Sequence, residues 1–342
     1  MRCGTIVKGP HKRPPNAFDH RHDTLNMGEK DTRVGGKQTT WPKCVAAGIA
    51  ALAVCIGLKQ SVLATFAWTL LAFYLPSYLD GAEHTGERYW PAYADFCRSN
   101  ITHGFPMTME CEEEIDPAKQ YLFASHPHGI LSAHHGVMMT GGSKPSFHDI
   151  SPMDTRNHLG ASVIFRIPIY REYLLWIGCV DASRATAERV LKKGKSLVIL
   201  VGGIAEQMVS QVKDHTVYVK KRKGHIRLAI KYGVPVVPAY VFGETDLYTH
   251  SSFLLKFRQW FAKTFQMALL VAYGDNKWLP WKPHKGVDLH QVFGKPVPVE
   301  KNEKPTQEQI DKVHQAYVDE LVRVFNKYKE KYGYKDYELK VI

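Results

Sequence analysis

The residues best suited to chemistry in this chain form one tetrapeptide, His126-Pro127-His128-Gly129. Proline biases the residue before it towards extended geometry, and in an extended chain residues two apart point the same way. His126 and His128 are therefore expected to turn both imidazoles towards one pocket. Gly129 permits a sharp turn, and a helix over residues 130–139 would set its positive end against the rings and favour their neutral form. A neutral imidazole is what general-base catalysis requires. Three readings compete at this level. The rings could satisfy hydrogen bonds in a turn and do nothing more. They could be the first ligands of a metal-dependent hydrolase, which needs further His and Asp ligands at later strand ends, where glycines and glutamates stand instead. Or one ring could take the proton of an alcohol as it attacks a thioester, with N–H groups at the glycine turn holding the oxyanion.

Two further features suit the third reading. Gly202-Gly203 follows the apolar run 196–201, and Glu206 lies three residues on, placed to orient and charge-stabilise a histidine. A glutamate there would equally serve as the first-turn acid of a helix. Lys220-Lys221-Arg222-Lys223 is the densest basic run and stands directly before Gly224. Such runs are usually solvated faces, but one that meets a helix N-terminus can bind phosphate, and coenzyme A carries several.

The elements that must position these residues alternate. A short strand over 121–125 runs into the histidines. Ser183 caps a helix whose apolar positions Ala187, Val190 and Leu191 fall at i, i+3 and i+4, and Gly194 stops it. Residues 196–201 read as a buried strand, 224–231 as a helix stopped by Gly233, and 234–242 as a strand that Pro235 and Pro238 push towards a sheet edge. Strand and helix in turn predict an α/β fold with a mostly parallel sheet flanked by helices. The last helix opens on a Thr306–Gln309 capping box, and Ile310, Val313, Tyr317, Leu321, Val324 and Tyr328 mark one face, read here as core packing.

Ahead of this domain the composition changes twice. Residues 1–40 are rich in charge, Pro and Gly, which predicts a disordered basic tail. Residues 41–80 hold two uncharged runs, 44–58 and 61–79, broken by Lys59-Gln60. As a helix the first would reach only about 22 Å against a hydrocarbon core of ~30 Å, so a membrane hairpin or a pair of short spans is expected. The basic tail places the N-terminus in the cytosol, and an even number of crossings leaves residues 81–342 there as well. The formal net charge of +12 suits an anionic membrane or a polyanionic small molecule. No zinc-finger, basic-zipper or RNA-binding signature accompanies it, so nucleic acid is not an expected partner. The six cysteines are scattered without a CxxC pair, which points to neither a zinc knuckle nor a disulfide scaffold.

With these residues in hand the chain resembles the type 2 acyl-CoA:diacylglycerol acyltransferases and their monoacylglycerol and wax-ester relatives. The likeness runs over most of residues 40–335. It rests on the hydrophobic hairpin, His126-Pro127-His128-Gly129, Phe165-Arg166-Ile167-Pro168 with Arg171-Glu172-Tyr173, and Gly202-Gly203 with Glu206. It continues through Arg222-Lys223-Gly224, Phe242-Gly243-Glu244 and Gly294-Lys295-Pro296. The resemblance implies a glycerolipid-acyltransferase-like fold and an enzyme of the endoplasmic reticulum and lipid droplets that esterifies diacylglycerol with acyl-CoA as co-substrate. It implies no metal and no other cofactor. The two histidines are then the catalytic centre and Glu206 their helper, with Gly129, Gly202, Gly203, Arg222, Lys223 and Gly224 at the substrates. The bilayer or droplet surface is the expected partner, and a homo-oligomer is compatible with the sequence. Monoacylglycerol or fatty-alcohol acylation is the alternative reaction, and a non-enzymatic droplet coat the alternative from another class. Two departures stand out. The block usually ending in Phe ends here in His225, and Ile204 is larger than the Ala common at the centre of the double-glycine block. Position 133, where glycerol-phosphate acyltransferases carry Asp, is Ala, which shifts weight onto Glu206.

Overall fold

The computed structural model describes residues 41–101, 103–276 and 282–342. The basic tail expected over residues 1–40 lies outside them.

Two helices lead the chain, α1 (Trp41–Gly57) and α2 (Val62–Tyr78), joined by a turn at Leu58–Ser61. Ser61 caps α2 by accepting from the Ala64 N–H. The helices pack closely where Gly48 meets Phe73: a Cβ on that glycine would lie 3.3 Å from the Phe73 Cβ. No residue of α2 is buried, although the stretch from Val62 to His84 is long and apolar enough to cross a membrane. At 17 residues, α1 is shorter than a full crossing needs.

The domain that follows is built on helices α3 (Pro91–Asn100), α4 (Ala133–Thr140), α5 (Phe147–Ile150), α6 (Tyr170–Trp176), α7 (Arg184–Lys192), α8 (Gly203–Gln207), α9 (Gly224–Tyr232), α10 (Leu255–Phe265) and α11 (Gln307–Tyr328). Its strands are β1 (Met107–Cys111), β2 (Leu122–His126), β3 (Ser143–Lys144), β4 (Arg156–Gly160), β5 (Cys179–Asp181), β6 (Ser196–Leu200), β7 (Thr216–Val217), β8 (Val236–Phe242), β9 (Thr249–His250), β10 (Ala272–Tyr273), β11 (Leu289–Phe293) and β12 (Lys340–Val341). Eight strands form one sheet in the order β3-β1-β11-β8-β2-β6-β4-β5. Every pairing is parallel except β11 with β8, so the expected mostly parallel sheet is present.

Both faces of the sheet are covered, and strand alternation sorts the side chains between them. Leu122, Ala124, Leu197, Ile199, Val236 and Tyr240 pack with α7, α9 and α11. Phe123, Val198, Val237, Ala239 and Val241 pack on the other side with Val137 and Met138 of α4 and Phe147 of α5.

The strand carrying Pro235 and Pro238 is not at an edge. β8 lies between β2 and β11, and all seven of its residues are buried. The antiparallel register slips by one residue between the pairs Ala239↔Phe293 and Val236↔Val297. Pro238 sits in that slip, where its carbonyl accepts from Gly294 N–H at 2.8 Å and the ladder asks for no donor in return.

The Arg171-Glu172 block joins α2 to this domain. Arg171 is buried and pairs with Asp80 (2.7 Å), Glu83 (2.6 Å) and Glu172 (2.8 Å). Tyr74 donates its hydroxyl to Glu172, and Tyr78 donates to the Arg166 carbonyl at 2.8 Å.

Candidate active site

Strand β2 delivers the tetrapeptide to the carboxyl edge of the sheet, where ligands of parallel α/β folds gather. Its last two residues face opposite layers. Ser125 points to the α4 side and reaches His134 Nε2 at 3.1 Å, while His126 points to the α9–α11 side and meets the Tyr317 hydroxyl at 2.5 Å. The strand ends at His126, so alternation no longer governs His128 and the two rings have different surroundings. His126 is fully buried and His128 half-buried. The two rings have separate hydrogen-bond partners, yet His128 stands near enough to disfavour a proton on His126.

The hydrogen bonds of His128 fix its tautomer. Nδ1 stands 3.1 Å from the Gly129 carbonyl and 3.0 Å from Ser132 Oγ. A carbonyl oxygen only accepts, so Nδ1 carries the proton and Nε2 the lone pair. Burial lowers the pKa of His128 to about 4 and that of His126 to about 3. Both rings are thus neutral near pH 7.

Glu206 reaches the motif through the main chain. Its carboxyl accepts from the His128 backbone N–H and, at 3.0 Å, from the Tyr218 backbone N–H. The sequence expectation placed this carboxylate on an imidazole; instead it fixes the turn that carries one. Burial raises its pKa to about 7, against the pull of those N–H groups and of the nearby Arg222. Gly202 and Gly203 serve it differently. A Cβ on Gly202 would stand 2.7 Å from the Glu206 Cβ and closer still to the carboxyl, whereas Gly203 has open space but a φ of +55°.

The carboxylate that does hold an imidazole is Glu244, just beyond β8. It accepts from the N–H groups of Ala133 (2.8 Å) and His134 (3.0 Å), capping α4, and from His134 Nδ1 at 2.9 Å. With Nδ1–H committed to Glu244, His134 Nε2 accepts from Ser125 Oγ. The helix therefore begins at Ala133 and not at residue 130, because Gly129 (φ +65°) and Ser132 (φ +53°) turn the chain and Glu244 takes the first donors. Gly129 is confined by the same carboxylate: a Cβ there would lie 2.6 Å from Glu244 Cγ.

The basic run divides. Lys223 pairs with Asp311 of α11 at 2.7 Å, Arg222 acts on Glu206, and Lys220 and Lys221 are exposed. Gly224 opens α9, whose N-terminus has no side-chain cap. The next residue, His225, is buried with its ring edge-on to Tyr317 at 5.1 Å between centroids, and burial drives its pKa well below the ordinary histidine value. It packs as the apolar ring it replaces would.

His134, Ser125 and Ser132 were not singled out from the sequence, and Glu244 and Tyr317 were named there without a role in the site. Glu244 carried a usable signal, since it closes the Phe242-Gly243-Glu244 block just beyond the strand beside β2. Tyr317 carried none beyond its place on an apolar helix face. Among the described residues, no three His, Cys, Asp or Glu side chains come together in a way that could hold a metal ion.

The family model described as diacylglycerol acyltransferase matches residues 60–342. The chain is 34% identical over 264 residues to acyl-CoA wax alcohol acyltransferase 2 of Mus musculus, covering 72% of this chain and 74% of that protein. It is 31% identical over 313 residues to diacylglycerol O-acyltransferase 2 of Xenopus tropicalis, covering 83% and 82%. It is 30% identical over 305 residues to 2-acylglycerol O-acyltransferase 1 of Mus musculus, covering 83% and 89%. The protein with this His126–Gly129 turn, and with Glu206 and Glu244 behind it, belongs to the diacylglycerol acyltransferase family.

Proposed function

We propose that the protein transfers the acyl group of acyl-CoA to the free hydroxyl of 1,2-diacylglycerol, with His128 as general base. The observation that carries this reading is the state of His128: half-buried at the carboxyl edge, neutral, with Nδ1–H on the Gly129 carbonyl and the lone pair on Nε2. The acceptor hydroxyl gives its proton to Nε2 as its oxygen bonds to the thioester carbon. Collapse of the tetrahedral intermediate breaks the C–S bond, and the imidazolium returns the proton to the departing thiolate. The products are triacylglycerol and coenzyme A. The Gly129 turn is proposed to supply the oxyanion donors. Glu206 holds the main chain of His128, and Tyr317 with His126 forms the wall behind it.

The names of the relatives span wax alcohols, 2-acylglycerols and diacylglycerols, and all three acceptors present a hydroxyl to the same base. Helices α1 and α2 are read as a hairpin that anchors the domain at the cytosolic face of the endoplasmic reticulum, with droplets as a second location. Lys223, Arg222 and the open end of α9 are the proposed contacts for coenzyme A phosphates. The test is competition. Microsomes from a lipid-deficient host expressing the chain receive labelled acyl-CoA with diacylglycerol, monoacylglycerol and fatty alcohol together. Triacylglycerol is the expected main product. Wax ester or diacylglycerol as main product would overturn the acceptor, and no labelled ester would overturn the reaction.

A further inference from the structure

Helix α10 is built inside out. Its inward face is polar, with Arg258 2% exposed and Gln259 6%, beside Ala262. The Arg258 guanidinium donates to the carbonyls of Ser251 (2.7 Å), Phe253 (3.0 Å) and Leu269 (2.7 Å) and meets His250 Nε2. The outward face is apolar: Phe257 is 49% exposed, Trp260 55% and Phe265 54%, and Phe253 and Leu254, just before the helix, are 65% and 57%. At 100° per residue the exposed Lys256 and Lys263 fall together on one flank of this face, and the helix contains no acidic residue. In water such a face would be a liability. A bilayer interface takes it well, because aromatic rings settle at the headgroup level and lysines meet lipid phosphate.

The topology brings the chain to α10 from the edge of the sheet that carries the other exposed apolar residues. β8, β2, β6, β4 and β5 are parallel, so the loops leaving their carboxyl ends share one edge of the sheet. The loop after β2 carries the His128 turn and exposed Leu131. The loop after β4 carries exposed Ile167 and Ile169, and Tyr74 and Tyr78 of α2 dock there, on the Ile169 N–H (3.1 Å) and the Arg166 carbonyl. α10 follows β8. From this we infer that α10 is a second membrane contact, lying in the bilayer interface with Phe257, Trp260 and Phe265 among the lipids and holding the His128 edge against the surface that contains the acceptor.

This rests on α1–α2 being a membrane anchor, and the test separates the two. p-Benzoylphenylalanine is placed singly in the full chain at Phe257, at Leu63 in α2 and at Lys119, which precedes β2 at the opposite edge with its side chain 71% exposed. Each protein is reconstituted in phosphatidylcholine vesicles containing an alkyne-tagged phosphatidylcholine and illuminated. Lipid capture at 257 and 63 but not at 119 is the expected result. Capture at 63 without 257, or capture of a second copy of the chain at 257, overturns the role of α10 and leaves the anchor standing. Capture at neither 63 nor 257 overturns both. The double variant Phe257→Glu with Trp260→Glu should still float with vesicles through the hairpin. Its KM for diacylglycerol in vesicles should rise at least about tenfold, as loss of two buried rings requires, while turnover of a short-chain, water-soluble acceptor is unchanged. An unaltered KM in vesicles would also overturn the proposal.

Discussion

Gly202→Ala, set against Gly203→Ala, asks whether Glu206 works by holding the main chain of His128. The glycines are adjacent, yet the structure needs them for unrelated reasons. A methyl group on Gly202 would lie 2.7 Å from Glu206 Cβ and would overlap the carboxyl. Glu206 must then swing away and release the backbone N–H groups of His128 and Tyr218. A buried N–H left without its acceptor costs about 1–3 kcal/mol, so the two together should cost about 2–6 kcal/mol. Gly203 has nothing within 4 Å of the added methyl and only its φ of +55° to give up, about 1–2 kcal/mol. At roughly 2–4 °C per kcal/mol for a domain of this size, Gly202→Ala should lower Tm by about 4–24 °C and Gly203→Ala by about 2–8 °C. Because the displaced group is the support of the base, acyl transfer by Gly202→Ala should fall about 100-fold even below its own Tm. Thermal unfolding and initial rates in the same nanodiscs read both effects. Equal, small effects from the two substitutions would refute a structural role for the Glu206 carboxyl.

Three further outcomes follow from the same geometry. His225→Phe should reduce acid sensitivity: the folded pKa of His225 is depressed, so the unfolded chain takes up a proton below about pH 6.5 that the folded chain refuses, and stability is lost as pH falls. The Tm advantage of the variant should grow by about 1.4 kcal/mol, some 3–5 °C, between pH 7.5 and 5.5, and a difference constant with pH would contradict it. Arg171→Met removes the partner shared by Asp80, Glu83 and Glu172 and leaves Arg88 alone against Asp80 and Glu172; it should cost about 3 kcal/mol, and a Tm within a degree or two of wild type in thermal unfolding would contradict that. Tyr317→Phe removes the hydroxyl at His126 Nε2 but keeps the ring against His225. It should lower stability by about 1–3 kcal/mol, measured by thermal unfolding, and slow acyl transfer less than loss of His128 does.

Local signals were legible where local physics decides. The Ser183 cap, the Gly233 stop and the Thr306–Gln309 capping box all stand where propensity and side-chain chemistry put them. The histidine turn and the strand before it were equally readable. Non-local contacts were not. Pro238 argues for an edge until the register slip against β11 is known, and that slip depends on residues more than fifty positions away. Tyr317 looks like one more core residue on α11 until the fold brings its hydroxyl to His126, 191 positions distant. Glu206 lies in the first turn of α8, as one of its two sequence readings had it, but only the folded turn shows its carboxyl on main-chain donors and leaves Glu244 with the imidazole of His134.

The central claim is that the lone pair on His128 Nε2 takes the acceptor proton, and loss of that ring tests it most directly. Initial rates of labelled triacylglycerol formation would be compared between wild type and His128→Ala at matched expression in microsomes that make no triacylglycerol of their own. A fall of about 100-fold or more is predicted, the usual contribution of a positioned base. Ester formation within twofold of wild type would contradict it.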